Sequence, residues 1–345
     1  WEASGHVAHF SDPMIDCTEC KARFRADQLI EDFCASHDVK PEKAVDAMSH
    51  EEMKAFIDEH AVNCPTCGKH SYTAVREFNL MFKTHLGPVE SDTSVVYLRP
   101  ETCQGIFVDF KNIVQSNRMK IPFGVAQVGK SFRNEIIFKN FIFRTCEFEQ
   151  MEMQFFVAPG EEMKWFEYWK KHRLAWHEGL GMGDENYRFH DHEKLAHYAN
   201  AATDIEFHMP FGFKEVEGIH SRTNFDLSQH EKYSGRQVKY FDPERNENYT
   251  PYVVETSIGV DRMFLSVMCH SYTEEALENG SSRVVLKLPE PLAPVKCAVL
   301  PLVNKDGLPE KAQEIVNSLK FHFNTHMEAK DSIGKRYRRQ DAIGT

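Results

Sequence analysis

The stretch SFRNEIIFKNFIFRTCEFEQME, at residues 131–152, has residue types and spacings suited to binding a nucleotide and an amino acid. If it forms two strands joined by a loop, Ser131, Arg133 and Glu135 share a face of the first strand, because side chains alternate along a strand. The second strand then has one face with Arg144, Cys146, Phe148, Gln150 and Glu152. A guanidinium suits a phosphate, an aromatic ring suits a nucleobase, and a carboxylate suits an ammonium group. A surface hairpin with Arg–Glu pairs fits the same residues, so both interpretations stay open.

Two CxxC pairs indicate a metal site. They are Cys17 with Cys20 and Cys64 with Cys67, separated by 43 residues. Four thiolates form the tetrahedral set of a structural zinc site, although the separation exceeds the common spacing of about 15–20 residues. We therefore predict one structural zinc per chain. The alternative is four reduced thiols without a metal.

The helices and strands that the sequence pattern indicates around these residues predict an α+β fold. Residues 16–70 form a charged helical stretch flanked by the CxxC pairs, which is typical of an insertion closed by a metal. Strand-like apolar runs alternate with a helix candidate between residues 78 and 157. Residues 161–180 have helical spacing, with aromatic side chains that we expect in the core. The PEPLAP stretch at 289–294 predicts a linker, followed by the start of a small α/β domain.

Composition narrows the class of protein. The 345 residues are 41% hydrophobic and 27% charged, which is typical of a soluble globular protein, and no apolar run approaches the roughly 20 residues that span a bilayer. A net charge of −11 disfavours non-specific binding to nucleic acid, although a basic face can still bind a phosphate backbone. The cysteine pattern favours a reducing compartment, so we expect a cytoplasmic protein. The chain begins at Trp1 without a signal peptide, and we expect residues to precede it.

Two segments resemble motifs of a known enzyme class. FRNE, a loop, and then arginine, phenylalanine and glutamate at four-residue intervals resemble motif 2 of the class II aminoacyl-tRNA synthetases. YVVETSIGVDRMFLSVM predicts a strand, a glycine turn and a helix, and it resembles motif 3, with Thr256 and Ser257 where many members have glycine. Arg262 falls in the first turn of that helix, where the helix dipole favours anions, so a cation there fits a bound nucleotide.

Further segments narrow the resemblance to the dimeric glycyl-tRNA synthetases. YLRPETCQGIF, FKEVEGIHSRTNFDLS, KLAHYANAATDIEF, LAPVKCAVLPLV and GKRYRRQDAIGT carry it through nearly the whole chain. It implies an antiparallel six- to seven-stranded sheet flanked by helices in a catalytic domain at 1–288, with the zinc-ribbon-like insertion at 16–70 inside it. Residues 294–345 would begin an α/β anticodon-binding domain. The implied substrates are glycine, ATP with Mg²⁺, and tRNA, and the implied assembly is a homodimer.

The resemblance also implies roles for individual residues. The expected catalytic residues are Arg133 and Arg262. Arg133 would contact the α-phosphate, and Arg262 would enclose adenine together with Phe148. The expected ATP-binding residues are Arg133, Asn134, Glu135, Phe143, Arg144, Phe148, Glu215, Val216, Gly259, Asp261 and Arg262. The expected glycine-binding residues are Arg25, Glu101, Gln150, Glu152, Glu217, Glu255 and Ser257. Crowded carboxylates can bind an ammonium group and fill the space of a larger side chain, so no editing site is needed.

Some features leave alternatives open. Cys146 stands where the family usually has arginine, and Asn224 where it usually has aspartate. The set of motif residues favours a glycine–tRNA ligase over a related protein that binds nucleic acid without the reaction, or over another class IIa synthetase. HEKLAH, at 192–197, resembles a zinc-protease pattern, but positions five apart lie about 140° apart on a helix, so we expect no metal there. RYRRQD, at 336–341, is a solvated charged face or an RNA contact.

Overall fold

The computed structural model describes residues 1–345 except Ile137, Glu193, Lys194, His197 and the side chain of Asp46, and it has the predicted α+β fold. Three residues of the HEKLAH stretch thus lie outside the described part. The helices are α1 His6–His9, α2 Ala26–His37, α3 His50–Glu59, α4 Cys103–Asn117, α5 Glu162–Glu178, α6 Phe225–Ser234, α7 Val260–Ser271, α8 Leu308–Leu319 and α9 Ile333–Ala342. The strands are β1 Ser11–Asp16, β2 Arg23–Arg25, β3 Arg76–Asn79, β4 Lys83–His85, β5 Val95–Tyr97, β6 Phe123–Phe132, β7 Glu147–Val157, β8 Tyr187–Asp191, β9 Ala201–Met209, β10 Gly212–Thr223, β11 Tyr240–Asp242, β12 Glu247–Tyr249, β13 Tyr252–Gly259, β14 Tyr272–Ala276, β15 Ser282–Leu286, β16 Cys297–Val299 and β17 Thr325–Met327.

The largest sheet has six strands in the order β6-β7-β13-β10-β9-β8. β7 pairs antiparallel with β6 and with β13, and β13 pairs antiparallel with β10. The chain divides into two compact units. The first consists of Trp1–Glu167, Asp191–Asp204 and Glu217–Asp261, and the second of Tyr168–His190, Ile205–Val216 and Arg262–Thr345.

A small lobe within the first unit contains the CxxC pairs. β1 lies between β2 and β3, and it pairs antiparallel with both. α2 and α3 pack together, and their apolar faces bury Leu29, Ile30, Met53 and Ile57. α3 begins with a capping box: the Ser49 hydroxyl accepts from the third residue of the helix, whose carboxylate in turn accepts from the backbone of Ser49. At the base of the lobe, Cys17 and Tyr72 form an isolated β-bridge.

The main core of the first unit packs against one face of the sheet, where Phe123 of β6 lies directly opposite Phe156 of β7. α4 packs against β7 and α6, and the aromatic rings of Phe107, Phe110, Phe123 and Phe156 fill the interface. The Phe110 and Phe156 centroids are 4.7 Å apart. Large aromatic side chains contribute much of the buried area in such a core. This packing anchors the start of α4 beside the polar face of the sheet.

The second unit contains the C-terminal elements. β14 and β15 form an antiparallel pair, β16 and β17 form a parallel pair that packs against α8, and α9 packs against β15. Arg336 of the RYRRQD stretch is buried and donates to the carbonyls of Pro301, Leu302 and Glu328. Arg339 pairs with two carboxylates in the same unit. Both arginines therefore support the local fold.

The connection between β6 and β7 is longer than the sequence predicts. β6 ends at Phe132 and β7 begins at Glu147, so the expectation that residues 133–135 and 144–146 lie in strands is wrong. Asn140 and Phe141 have positive φ angles, which regular strand does not permit. The helix at residues 161–180 is confirmed, but Tyr168 is 41% exposed rather than in the core. Among the described residues, no helix has both the length and the apolar character to cross a membrane.

Candidate active site

The first unit has a polar face on its sheet. The strand registers align side chains in rows across β6, β7, β13 and β10, and directly opposed residues share a face. The first row holds Gln127, Glu152, Ser257 and Gly218, and the second holds Val125, Gln154, Glu255 and His220. Three predicted glycine-site residues, Glu152, Glu255 and Ser257, thus lie on one face. The adjoining row brings Gln150, another predicted residue, opposite Gly259.

One buried arginine organises the acidic residues. Arg222 is 1% exposed, and its guanidinium forms a bidentate pair with Asp226, with N–O distances of 2.8 and 3.1 Å. Its third nitrogen donates to Glu255 at 3.1 and 3.2 Å. Burial opposes ionisation of Glu255, but the charge of Arg222 and the contact with His220 outweigh it and lower the pKa of Glu255 to about 2. Gln154 also donates to this carboxylate at 2.6 Å.

Glu101 has a second set of partners. Its Oε1 lies 3.2 Å from His6 Nε2 and 3.9 Å from Arg222, and it accepts from Gln104 at 3.0 Å. Burial raises its pKa, but the charge and hydrogen bond of His6 and the charge of Arg222 hold the pKa of Glu101 well below its usual range. Glu101 therefore has both the imidazole of His6 and the guanidinium of Arg222 as partners.

Glu152 has different surroundings. It is 3% exposed, its Oε2 accepts from both the backbone N–H and the hydroxyl of Thr102, and its Oε1 accepts from the Ser257 hydroxyl at 2.9 Å. Within the described residues, no lysine, arginine or histidine lies within ion-pair distance of Glu152. Burial, together with the charges of Glu255 and Glu101, raises the pKa of Glu152 to about 7.

The predicted phosphate and adenine residues of the first unit cluster at the start of β7. The Arg133 guanidinium lies 5.3 Å from the ring centroid of Phe148 and 5.3 Å from that of Phe10, and its Nε donates to the carbonyl of Pro100. Arg144 pairs with Glu135 at 3.2 Å. Cations placed over ring faces are stabilised by cation–π attraction. Asn134 and Phe143 lie in the same connection, and Cys146 donates to the carbonyl of Glu135.

The remaining ATP-site candidates lie elsewhere along the chain. In the second unit, Arg262 donates to both the carbonyl and the carboxylate of Glu215, at 3.0 and 3.1 Å. Val216 is buried, with 1% of its surface exposed. In the first unit, Asp261 accepts from the backbone N–H of Glu149 at 2.8 Å.

Two predicted glycine-site residues are placed apart from the polar face. Glu217 is fully buried, and the register places it opposite Ile258, whose side chain points to the other side of the sheet from Ser257. Arg25 pairs with Asp27 and Asp12 in the lobe. The assignment of Glu217 and Arg25 to glycine stays a prediction.

The four predicted cysteines converge. The Sγ atoms of Cys17, Cys20, Cys64 and Cys67 all lie within 4.8 Å of one another, and two of the separations are 3.7 Å. A tetrahedral site with Zn–S bonds of about 2.3 Å has S–S edges of about 3.8 Å, so the donor set fits a tetrahedral metal. Backbone hydrogen bonds from Cys20 and Glu19 lower the pKa of Cys17 to about 7, whereas burial and the neighbouring thiols raise the pKa of Cys20 and Cys67.

Sequence reasoning missed Arg222, Asp226, Thr102 and His220. Arg222 and Asp226 are four residues apart, a spacing suited to pairing within a helix, but here one lies in β10 and the other in α6. Thr102 precedes a helix, and a threonine at that position predicts only an N-cap. No sequence signal showed that these residues surround the predicted glutamates.

Comparison with known proteins assigns this fold to a class. The family model for the tRNA synthetase class II core domain (G, H, P, S and T) matches residues 44–272, and that for the glycyl-tRNA synthetase insertion domain 1 matches residues 12–50. Prolyl-tRNA synthetase from Giardia lamblia, solved with prolyl-adenylate, has a similar fold, with a TM-score of 0.55 and 18% identity over 77% of this chain and 52% of that one. The fold is that of a class II tRNA synthetase.

Sequence relatives define the family. Glycine–tRNA ligases from Caldanaerobacter subterraneus subsp. tengcongensis, Geobacillus thermodenitrificans and Treponema denticola are each 53% identical to the chain. The matches cover 100% of this chain and 74%, 74% and 72% of those proteins. The chain belongs to the glycine–tRNA ligase family.

Proposed function

We propose that the protein activates glycine with ATP and transfers it to the 3′ end of its tRNA. The observation that carries the proposal is the charge balance of the buried site. Three carboxylates, those of Glu101, Asp226 and Glu255, pair with a single guanidinium, that of Arg222. Glu152 makes no such pair and accepts hydrogen bonds from Thr102 and Ser257. A substrate ammonium group beside Glu152 would supply the missing cation.

The reaction would take place in two steps. An oxygen of the glycine carboxylate attacks the α-phosphorus of ATP, and pyrophosphate leaves. Arg133 would stabilise the charge that develops on the phosphoryl oxygens, and Phe148 would stack on adenine. The terminal ribose hydroxyl of tRNA then attacks the carbonyl of glycyl-adenylate, and AMP leaves. We assign Arg262, Glu215 and Val216 to ATP on the motif resemblance.

ATP–pyrophosphate exchange, measured with each amino acid in turn, tests this function. We expect glycine to support exchange and alanine to fail, because a methyl group forced into a packed site costs about 1–3 kcal/mol and disturbs the hydrogen bonds of buried carboxylates. A second assay should show glycine attached to tRNA. Exchange with a different amino acid would favour another class IIa synthetase. Binding of tRNA without any exchange would favour a relative that lacks the reaction.

The raised pKa of Glu152 predicts how glycine binding depends on pH. Below pH 7 the carboxyl holds its proton and lacks the negative charge that pairs with an ammonium group, so the KM for glycine should rise up to about tenfold for each unit that the pH falls below 7. Above pH 7 it should be constant until another group titrates. A KM for glycine that stays flat between pH 5.5 and 7 would contradict this role.

The same pKa shift has a consequence for stability. The folded-state pKa lies above the unfolded value of 4.5. The protonated Glu152 carboxyl therefore contributes to the free energy of unfolding in full below about pH 4.5, and this contribution is lost as the pH rises through 7. The Glu152→Gln variant cannot ionise, so it should lack this loss of stability. Urea denaturation of both proteins at pH 4.5 and pH 8 measures the difference.

We further propose that the four cysteines hold one structural zinc. Metal analysis of gently purified protein should give about one equivalent per chain, and Cys64→Ser should lose it and lower the melting temperature. Cys34→Ser is a matched control, because Cys34 lies in the same lobe outside the cluster. Less than half an equivalent of zinc in the unmodified protein would refute the site.

The remaining proposals rest mainly on the family resemblance. Mg²⁺ would enter with ATP, since it prefers phosphate oxygens and few protein ligands, and the cysteine set is the one cluster of metal-ligand type among the described residues.

The catalytic domain would span 1–288 with its insertion at 16–70, and residues 294–345 would begin the anticodon-binding domain. We also propose a homodimer. None of the nine cysteines forms a disulfide, which supports a cytoplasmic location.

A further inference from the structure

Thr102 makes an unusual set of contacts for a residue at the start of a helix. It is the N-cap of α4, where a threonine oxygen normally accepts from a backbone N–H of the first helical turn. The Thr102 side chain makes no such bond. Its hydroxyl donates to Oε2 of Glu152 instead, and its backbone N–H donates to the same oxygen at 2.8 Å.

These bonds fix the orientation of the Glu152 carboxylate. A carboxylate has about four lone-pair positions, two on each oxygen. Thr102 occupies both on Oε2, and the Ser257 hydroxyl occupies one on Oε1 at 2.9 Å. The position that remains is on Oε1. Thr102 is 2% exposed and Glu152 is 3% exposed, so water competes little for these bonds.

We infer that Thr102 is a positioning residue for the amino-acid substrate: it turns the Glu152 carboxylate so that the remaining lone pair of Oε1 is directed to the substrate ammonium. The inference rests on the proposed function and deepens it. Thr102 acts through Glu152 and does not itself touch the substrate.

Removal of the Thr102 hydroxyl should have two effects on Glu152. The terminal torsion of a glutamate is broad, so a carboxylate that loses one of its donors samples more orientations and presents Oε1 correctly for less of the time. A hydrogen bond to the ionised carboxylate also favours ionisation, so without it the carboxyl holds its proton to a higher pH. Thr102 should therefore affect both the KM for glycine and its dependence on pH.

The test compares Thr102→Val with Thr102→Ser in pyrophosphate exchange. Thr102→Val keeps a β-branched side chain but removes the hydroxyl. We expect it to raise the KM for glycine at least tenfold, leave the KM for ATP within twofold, and move the acid limb of the glycine KM profile to higher pH. Thr102→Ser keeps the hydroxyl and should restore both properties. Thr256→Val is the matched control, because Thr256 is also buried but lies opposite Ile219 and Met153, on the other face of the sheet.

Each outcome decides the inference. An active wild-type protein and a Thr102→Val variant with an unchanged KM for glycine would overturn the role of Thr102 and leave the proposed function standing. A wild-type protein without glycine-dependent exchange would overturn the proposed function itself. A serine variant that fails to restore the KM would assign the effect to packing rather than to the hydroxyl. If Thr102→Val does not stay folded at the assay temperature, Thr102→Ala removes the same hydroxyl with less bulk and carries the same expectation.

Discussion

Replacing Arg222 by methionine should destabilise the protein by about 3–5 kcal/mol at pH 7, the typical cost of removing one partner of a buried ion pair. Methionine matches the length of the arginine stem, so the expected loss comes mainly from charge. Asp226 and Glu255 are 2% and 4% exposed, and both would lose their guanidinium partner. Urea denaturation followed by circular dichroism measures the change in the free energy of unfolding.

The pH dependence identifies the cause of this loss. The folded-state pKa of Glu255 lies near 2, below its unfolded value of 4.5, so its stabilising contribution is present above about pH 4.5 and is lost as the pH falls toward 2. The difference between wild type and Arg222→Met should shrink over that interval. Arg76→Met is the control, because Arg76 makes an exposed ion pair of the kind worth about 0–1 kcal/mol. A loss below 1 kcal/mol for Arg222→Met would show that the buried carboxylates do not depend on it.

Arg133→Ala should reduce the rate of glycyl-adenylate formation by a factor of about 10²–10³, or about 2.7–4 kcal/mol, the typical effect of removing one donor from a developing oxyanion. The fold should tolerate the change, because Arg133 is only partly buried and its contacts are two aromatic rings and one carbonyl. Single-turnover measurement of adenylate formation separates this effect from glycine binding.

Two further variants sharpen that result. Arg133→Lys keeps the charge without the forked donor geometry, so it should recover only part of the lost rate. Arg236→Ala removes an exposed arginine of the same unit and should retain wild-type activity. Activity of Arg133→Ala within a few-fold of wild type would show that this guanidinium does not stabilise the transferred phosphoryl group.

The sequence predicted the features that follow from local spacing. The two CxxC pairs indicated a four-cysteine site, and their sulfur atoms converge. The two-residue period of a strand placed Phe148, Gln150 and Glu152 on one face of β7, and the observed register agrees. Such periodicities are properties of the backbone and hold wherever the element forms.

Features set by tertiary contacts were not predictable in the same way. The helical spacing of α5 suggested an aromatic core face, yet Tyr168 and His172 stack on each other near the surface, with ring centroids 3.8 Å apart. The role of Arg222 depends on three elements that meet: β10, β13 and the start of α6. No periodic pattern specifies which buried carboxylates share one guanidinium. Likewise, Thr102 has the sequence signal of a cap and forms no side-chain cap.

The pairing of β1 with β3 places all four cysteines in the connection between two strands of one hairpin, at residues 17–75. The two strands form the arms of a hairpin, and the backbone N–H of Thr73 donates to the carbonyl of Asp16 at 2.9 Å, so the chain leaves the hairpin and returns to it at one point. In topological terms the whole lobe is an elaborate hairpin loop. Doubling the length of a loop costs only about 0.6 kcal/mol in closure entropy, so evolution can lengthen, trim or exchange such a loop at little cost to the hairpin. A short turn or a foreign domain could replace these residues while β1 and β3 stay paired, at the loss of the β1–β2 pairing and of the ion pair between Arg25 and Asp12.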